Sequence, residues 1–487
     1  MLPFPTMILL DRKAETAVYQ QIANQLVKLI RDGIIQPGAR LPGSRELAVL
    51  LQVHRKTVVA AYDELYAQDW IEVAPRKGIS VSSRLPELKP KAFKAHARQP
   101  SYAGPAGFSF NHLLSLPEFS LPKNKPRLII NDGSPDSRLA PMDQLLRAYK
   151  ELLTERNYKK YIPQSNFAGT PSLREALTRF LTDTRGLTMG PENILVTRGA
   201  QMAIYLAAQL VLKKGDSVIV SRPNYFMADK AFEQAGARLL QVPTDEQGMD
   251  VDAVEALCQK KKPRLLYVVP HHHHPTTVTL SMDRRMKLLD IIRRYQLVVI
   301  EDDYDYDFHY SSGPILPLAS ADHGGHVIYI GSLTKSLMPS IRLGYMVAPP
   351  DFIAQATRLR RIVDIRGDHL QEDALATLIR NGDLARHLKK ANKIYQGRRD
   401  YFCELLTREL EDRIRFKKPD GGLAIWAASS LPLPLLSARA ATMGLLINDG
   451  SYYNDKAGNG LRLGFASLQE KEMVEAVDIL KRVFSLR

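Results

Sequence analysis

The chain has 487 residues, 45% of them hydrophobic and 24% charged, with a net charge of +15. That length suits about three domains with a sizeable core, and the composition excludes a disordered or fibrous protein. Two cysteines, Cys258 and Cys403, exclude a disulfide scaffold and suit a reducing compartment, so a cytoplasmic location is expected. The positive excess suits a polyanionic partner such as nucleic acid, or a basic surface that serves solubility, and charge alone does not separate the two. The opening MLPFPTMILLDRK has neither a basic leader nor a small-residue cleavage site and is not read as a signal peptide. No apolar run approaches the length of a membrane span, so no membrane partner is expected.

The first elements are helical. In residues 17–32, Ile22, Leu26, Leu29 and Ile30 fall on one helical face and Gly33 follows as a stop. After the turn PGARLPG, Ser44 is expected to cap a short helix over 45–51. A break at 52–54 leads to a third helix over 55–68, with Val58, Ala61, Tyr62 and Leu65 facing inward. Two β-branched runs, 71–73 and 79–81, flank Pro75-Arg76-Lys77-Gly78 and read as a hairpin with a basic tip. Three helices and a two-stranded ribbon make an α+β winged helix-turn-helix over residues 1–83, whose third helix would enter the major groove. Arg45, Arg55, Lys56 and Thr57 lie at or near helix N-termini, suited to phosphate, and Arg76 and Lys77 would serve the wing. Residues 1–100 hold 15 basic against 9 acidic side chains, a net +6.

From 84 to 127 prolines recur among lysines and glycines, which reads as a semi-extended linker. From 128 to 487 the chain reads as one larger domain. Apolar strands alternate with amphipathic helices through about residue 347, which argues for an α/β region with a mostly parallel sheet.

Five places in that region carry chemistry. A strand, 194–197, runs into Arg198-Gly199-Ala200-Gln201 and a helix over 202–212, and its small-residue turn offers free N–H groups to an anion. Tyr225 follows the strand 218–220 and could stack on a flat ring. The strand 298–300 ends in Glu301-Asp302-Asp303-Tyr304, where alternation puts Asp302 and Tyr304 on one face and Asp303 on the other. Those acids suit a pyridine nitrogen or a divalent metal, and the parity favours the Asp302/Tyr304 pair. Residues 326–349 read HVIYIGSLTKSLMPSIRLGYMVAP, a buried strand that breaks into small hydroxylated residues, Lys335, Arg342 and a second strand. A desolvated Lys335 loses its proton easily and can hold a carbonyl as an imine, while Ser332 and Arg342 offer donors to a phosphate. That combination suits pyridoxal phosphate. Arg462, in the otherwise apolar run 461–465, wants a carboxylate, from the chain itself or from a ligand.

Residues 19–65 resemble the GntR-type winged helix through Gly33, Pro37-Gly38, Leu41-Pro42, Ser44-Arg45-Glu46-Leu47-Ala48, Val53-x-Arg55-x-Thr57-Val58 and Ala61-Tyr62. His54 stands where serine is usual, and Gly43 also departs. The rest resembles the fold-type I pyridoxal phosphate family, the class I aminotransferases, through Leu173-Arg174-Glu175-Ala176, Arg185-Gly186, Thr197-x-Gly199-Ala200-Gln201, Glu301-Asp302-Asp303-Tyr304-Asp305, Lys335, Arg342-x-Gly344-Tyr345 and Arg462-Leu463-Gly464-Phe465. Together the two regions resemble a MocR-type regulator of the GntR family. The resemblance implies an α/β transferase fold with a smaller C-terminal α+β domain and a homodimer. It implies Lys335 as the Schiff-base lysine, Asp302 on the ring nitrogen, Tyr304 on the 3-hydroxyl and Tyr225 stacked on the ring. Gly199, Ala200, Gln201, Ser332 and Arg342 would hold the phosphate, and Arg462 the carboxylate of an amino-acid-like ligand. His271-His272-His273-His274-Pro275-Thr276-Thr277 departs from the family's Ser-His-Gln-Phe-Pro-Thr-Gly-like run. Its four histidines are not read as a metal site, because neighbours cannot all face one ion. Arg198 replaces a small hydroxyl residue, and 161–169 is longer than usual.

The expected function is a regulator of promoter DNA in which cofactor bound at Lys335 senses pyridoxal phosphate, an amino acid or an amine. The alternatives are an active aminotransferase with an accessory DNA-binding domain, or a DNA-binding protein whose second domain only dimerises.

Overall fold

The computed structural model describes residues 3–12, 14, 16–74, 78–83, 104–106, 108–111, 116, 126–154, 166–310, 315–453 and 460–486. They fall into two units, Met1–Asn111 and His112–Arg487. Most of the expected linker lies outside the described residues, as do Arg76 and Lys77 at the hairpin tip.

The first unit runs α1 (Phe4–Met7), α2 (Val18–Arg31), β1 (Arg40–Leu41), α3 (Ser44–Leu50), α4 (Arg55–Ala67), β2 (Ile71–Ala74) and β3 (Gly78–Val81). The anticipated faces are buried. Ile22, Leu26, Leu29 and Ile30 from α2 meet Val58, Ala61, Tyr62 and Leu65 from α4 in one core. The Tyr62 hydroxyl donates to the Pro42 carbonyl at 2.7 Å, tying α4 to the turn before α3. The hairpin is antiparallel, with Ile71 opposite Val81. Two elements escaped the sequence reading because they are short. These are α1 and β1, which makes the ribbon a three-stranded sheet of order β1-β3-β2. The cap also differs: Ser44 is the first helical residue and Gly43 occupies the N-cap with no side-chain bond.

The second unit is a twisted α/β sheet with a smaller domain built on it. It opens with β4 (Leu128–Ile129), α5 (Met142–Leu152), α6 (Pro171–Arg185), β5 (Ile194–Thr197) and α7 (Ala200–Val211). Then follow β6 (Ser217–Arg222), α8 (Phe226–Gln234), β7 (Arg238–Asp245), β8 (Gly248–Met249), α9 (Val251–Lys261), β9 (Leu265–Val268), α10 (Met282–Tyr295) and β10 (Val298–Asp303). After β11 (Val327–Ser332) and β12 (Gly344–Val347) come α11 (Pro350–Asp364), α12 (His369–Arg380) and the long α13 (Asp383–Leu410). The end of the chain adds β13 (Ile414–Phe416), β14 (Ala424–Ser429), α14 (Leu433–Thr442), β15 (Leu445–Leu446), β16 (Gly460–Gly464) and α15 (Glu470–Ser485).

The large sheet has the order β5-β12-β11-β10-β9-β6-β7-β8. Its middle, from β11 to β7, is parallel, and β12 and β8 run against their neighbours. β5 and β9 are buried at every position, as expected of strands covered on both faces by crossover helices. The smaller domain is an antiparallel sheet, β13-β14-β16, with a short parallel pair, β15-β4, that ties the first strand of the unit to the end of the chain. In a parallel sheet the chain leaves every strand on the same side, so functional side chains gather at the carboxyl ends. Here those ends carry Thr197, Arg222, Val268, Asp303 and Ser332.

Candidate cofactor site

A cavity of about 220 Å³ opens at those strand ends. Its walls include Ala200 and Gln201 after β5, Tyr225 after β6, Tyr267 on β9, Asp302 and Tyr304 at the end of β10, Ser332 at the end of β11, and Thr334, Lys335 and Arg342 after it. Asp132 and His274 complete it. Residues far apart in sequence, from Ala200 to Arg342, thus reach one space because five strands end there.

At one end of the cavity the chain can hold an anion. Gly199 is the N-cap of α7 at φ +81°, a region that favours glycine. A Cβ there would lie 2.9 Å from the Arg342 guanidinium, so only glycine leaves the arginine its place over the helix N-terminus. The unpaired N–H groups of that first turn, Ser332, Thr334 and Arg342 form a phosphate-sized cradle. The Gln201 amide donates to the Met227 carbonyl at 3.0 Å.

The middle of the cavity suits a heteroaromatic ring. Asp302 is buried; its Oδ2 accepts from the Tyr267 hydroxyl at 2.7 Å, and its Oδ1 has no partner among the described residues. Burial pushes this carboxyl up to about 7, the Tyr267 bond opposes the rise, and Asp303 and Asp305 add to it. A cation placed against Oδ1 would relieve that cost, and a protonated ring nitrogen is such a cation. Tyr225 packs edge-on against His274, with ring centroids 5.2 Å apart. The Tyr304 hydroxyl donates to the His272 carbonyl at 2.9 Å and accepts from Arg462 at 3.2 Å.

Lys335 lies between these parts, its Nζ donating to the Gly133 carbonyl at 2.6 Å. Burial holds its ammonium below the usual range; Asp132 and Asp305 oppose this, and Arg462 and Arg342 reinforce it. The residues present therefore fit pyridoxal phosphate: an amine depressed by burial, an unpaired carboxylate oxygen, a ring-sized slot and an anion cradle.

Residues 123–480 match the family Aminotransferase class I and II, and residues 18–81 match the bacterial regulatory proteins of the gntR family. This chain belongs to the class I and II aminotransferases, in a MocR-type composite. The chain is 27% identical over 98% of its length to the probable rhizopine catabolism regulatory protein MocR of Rhizobium meliloti, covering 96% of that protein. It is 28% identical over 95% of its length to the HTH-type transcriptional regulator TauR of Rhodobacter capsulatus, again covering 96%. Among solved structures it resembles LysN, the α-aminoadipate aminotransferase of Thermus thermophilus, complexed with N-(5'-phosphopyridoxyl)-L-leucine. The TM-score is 0.68 at 27% identity, over 74% of this chain and 92% of that one. The kynurenine aminotransferase of Pyrococcus horikoshii gives a TM-score of 0.69 at 26% identity, over 74% and 91%. Pyridoxal phosphate is the cofactor of this MocR-type chain.

The structure brings Lys335, Asp302, Tyr304, Tyr225, Ala200, Gln201, Ser332 and Arg342 to one cavity, with Gly199 beneath its anion end. Arg462 stands behind the wall. It is 1% exposed and its guanidinium donates to the backbone carbonyls of Asp132 at 3.2 Å and Pro275 at 2.7 Å. The Asp132 carboxylate lies 3.4 Å from it. The histidine run diverges: His271 bonds Asp303, His272 bonds Asp305, His273 bonds Ser221 and His274 bonds Asp132. Among the described residues, no group of three or more His, Cys, Asp or Glu could hold a metal ion.

Sequence reasoning passed over Asp132, Tyr267 and Thr334 as cavity residues, and of the histidine run it placed near the cofactor only His274 lines the cavity. Tyr267 carried a weak signal, since β9 pairs with β10 in parallel and alternation aims it at the Asp302 side. Asp132 carried none, because its strand neighbours come from the far end of the chain.

In the first unit, Arg45, Arg55 and Lys56 are exposed and Thr57 is half-buried. Arg55 opens α4, and the His54 ring accepts the Lys56 N–H at 3.2 Å. The histidine found in place of serine therefore still caps the helix. No described helix is long and apolar enough to cross a membrane.

Proposed function

We propose that this protein regulates transcription by coupling DNA binding in its winged-helix unit to the state of a pyridoxal phosphate held on Lys335. The observation that carries the reading is the convergence of Lys335, the unpaired Asp302 oxygen and the Gly199/Arg342 anion cradle, in a chain that also bears a gntR-type head. When bound, the cofactor supplies an aldehyde carbon that bonds reversibly to amines.

Each residue then has a defined task. Lys335 is the amine that meets the aldehyde, its proton readily lost because burial disfavours the ammonium. Asp302 keeps the ring nitrogen protonated, and Tyr304 presents its hydroxyl to the ring's 3-hydroxyl. Tyr225 covers one ring face. Gly199, Ala200, Gln201, Ser332 and Arg342 hold the phosphate. In the head, Arg45, Arg55, Lys56 and Thr57 on the described surface, and Arg76 and Lys77 at the wing, meet DNA phosphates and base edges. An amine admitted beside Lys335 would change the contacts inside the cavity. A differential contact of that kind is what shifts a conformational equilibrium. The protein acts as a homodimer in the cytoplasm under this reading.

Borohydride reduction of the cofactor-loaded protein followed by peptide mass analysis tests the reading. The expected result is a pyridoxyl adduct on Lys335, absent from Lys335→Ala. Absence of any adduct from the wild type overturns it. Promoter fragments recovered with and without cofactor test the coupling. Sustained keto-acid production from an amino acid, with DNA affinity indifferent to cofactor, would make the chain an aminotransferase instead.

A further inference from the structure

The wall of the cavity facing Lys335 is acidic where a ligand would arrive. Asn131, Asp132 and Gly133 form a tight turn after β4. The Asn131 side chain accepts the Gly133 and Ser134 N–H groups at 3.0 and 2.7 Å, and Gly133 sits at φ +87°. This turn aims the Asp132 carboxylate into the cavity, one residue from the carbonyl that holds the Lys335 amine. The carboxylate is fully engaged from behind. Oδ1 accepts from the Tyr453 hydroxyl at 2.7 Å and lies 3.4 Å from Arg462, and Oδ2 bonds His274 at 2.8 Å. Its side chain is nonetheless 43% exposed, whereas Arg462 is 1% exposed and does not line the cavity. Arg462 thus already has a carboxylate, and that carboxylate belongs to the chain.

We propose that Asp132 is the specificity-determining residue of this site: it occupies the carboxylate position on Arg462, so that the ligand is a primary amine with no carboxylate on its amine-bearing carbon, and a second ammonium on the ligand is favoured. The proposal rests on the reading that Lys335 carries pyridoxal phosphate. The physical reason is that two carboxylates cannot share one site without one taking up a proton. An α-amino acid must either bring its carboxylate against Asp132 or expel Asp132 from Tyr453, His274 and Arg462. An alkyl diamine meets neither obstacle. Its far ammonium donates to the exposed side of the Asp132 carboxylate.

The test is a titration of cofactor-loaded, full-length protein with putrescine and with L-alanine, read by the absorbance of the bound cofactor. In wild type, putrescine is expected to change the spectrum at a concentration at least tenfold below that of alanine. Asp132→Ala and Asp132→Asn are expected to narrow or reverse that ratio by tenfold or more. The second variant keeps the shape and removes only the charge, so it carries the test if Asp132→Ala does not fold. A wild type that responds to alanine as readily as to putrescine, or a ratio unchanged in Asp132→Asn, overturns the proposal while leaving the cofactor reading intact. A loaded protein that shows no Lys335-dependent absorbance before any amine is added overturns the cofactor reading itself.

Discussion

Gly199 shows how one residue constrains the site. Its backbone is left-handed, and a Cβ would meet the Arg342 guanidinium at 2.9 Å. Gly199→Ala is expected to cost about 1–3 kcal/mol of local strain and to weaken cofactor binding about tenfold or more. A fluorescence titration of apoprotein with pyridoxal phosphate measures it, and unchanged affinity would remove Gly199 from the cradle. Asp229 gives a pH prediction. It is buried on α8, accepts from the Asn224 amide at 2.6 Å, and burial pushes its carboxyl up to about 7. The folded protein therefore binds a proton that the unfolded chain, near its ordinary value of about 4, has released. Stability from this group is complete at low pH and is lost as pH rises through about 7. Asp229→Asn, which cannot ionise, should flatten the fall in melting temperature between about pH 4 and 7; a slope identical to wild type would show that the group does not titrate there.

The element that decides the first unit is α4. Its inner face, Val58, Ala61, Tyr62 and Leu65, is fixed by α2, and that leaves Arg55 and Lys56 at its exposed start. Arg55→Ala is expected to weaken operator binding and to lower the salt dependence of log K by about one unit of slope. A slope equal to wild type would take Arg55 off the phosphate backbone. Leu26→Ala removes a fully buried side chain from α2 and is expected to cost the head about 2–5 kcal/mol. DNA binding should fall away while cofactor absorbance persists, because the cofactor residues all belong to the second unit. The helices and strands singled out in the sequence were readable because each carries a run or a period of apolar residues. The short α1 and β1 were not, since four and two residues hold no period to read.

At the scale of the whole molecule the prediction is one of linkage. If an amine in the cavity changes operator affinity by some factor, the operator must change amine affinity by that same factor. Measuring the amine titration with and without saturating operator DNA checks this. A shift in one direction with none in the other would show that the DNA effect comes from something other than occupancy of the cavity.

By itself the sequence determined the fold class and the two kinds of domain, and it singled out the lysine, acid and arginine that meet in one cavity. Those signals are local: strand and helix periods, a glycine before a helix, a lysine between two buried strands. The partner of Arg462 was decided only by tertiary structure. In sequence that arginine stood open to a ligand carboxylate or to one of the chain's own. The pairing of β15 with β4 and the return of β16 beneath the cavity bring Asp132 across 330 positions to meet it. No pattern confined to neighbouring residues records such a contact, because the chain closes it only when distant strands share a sheet.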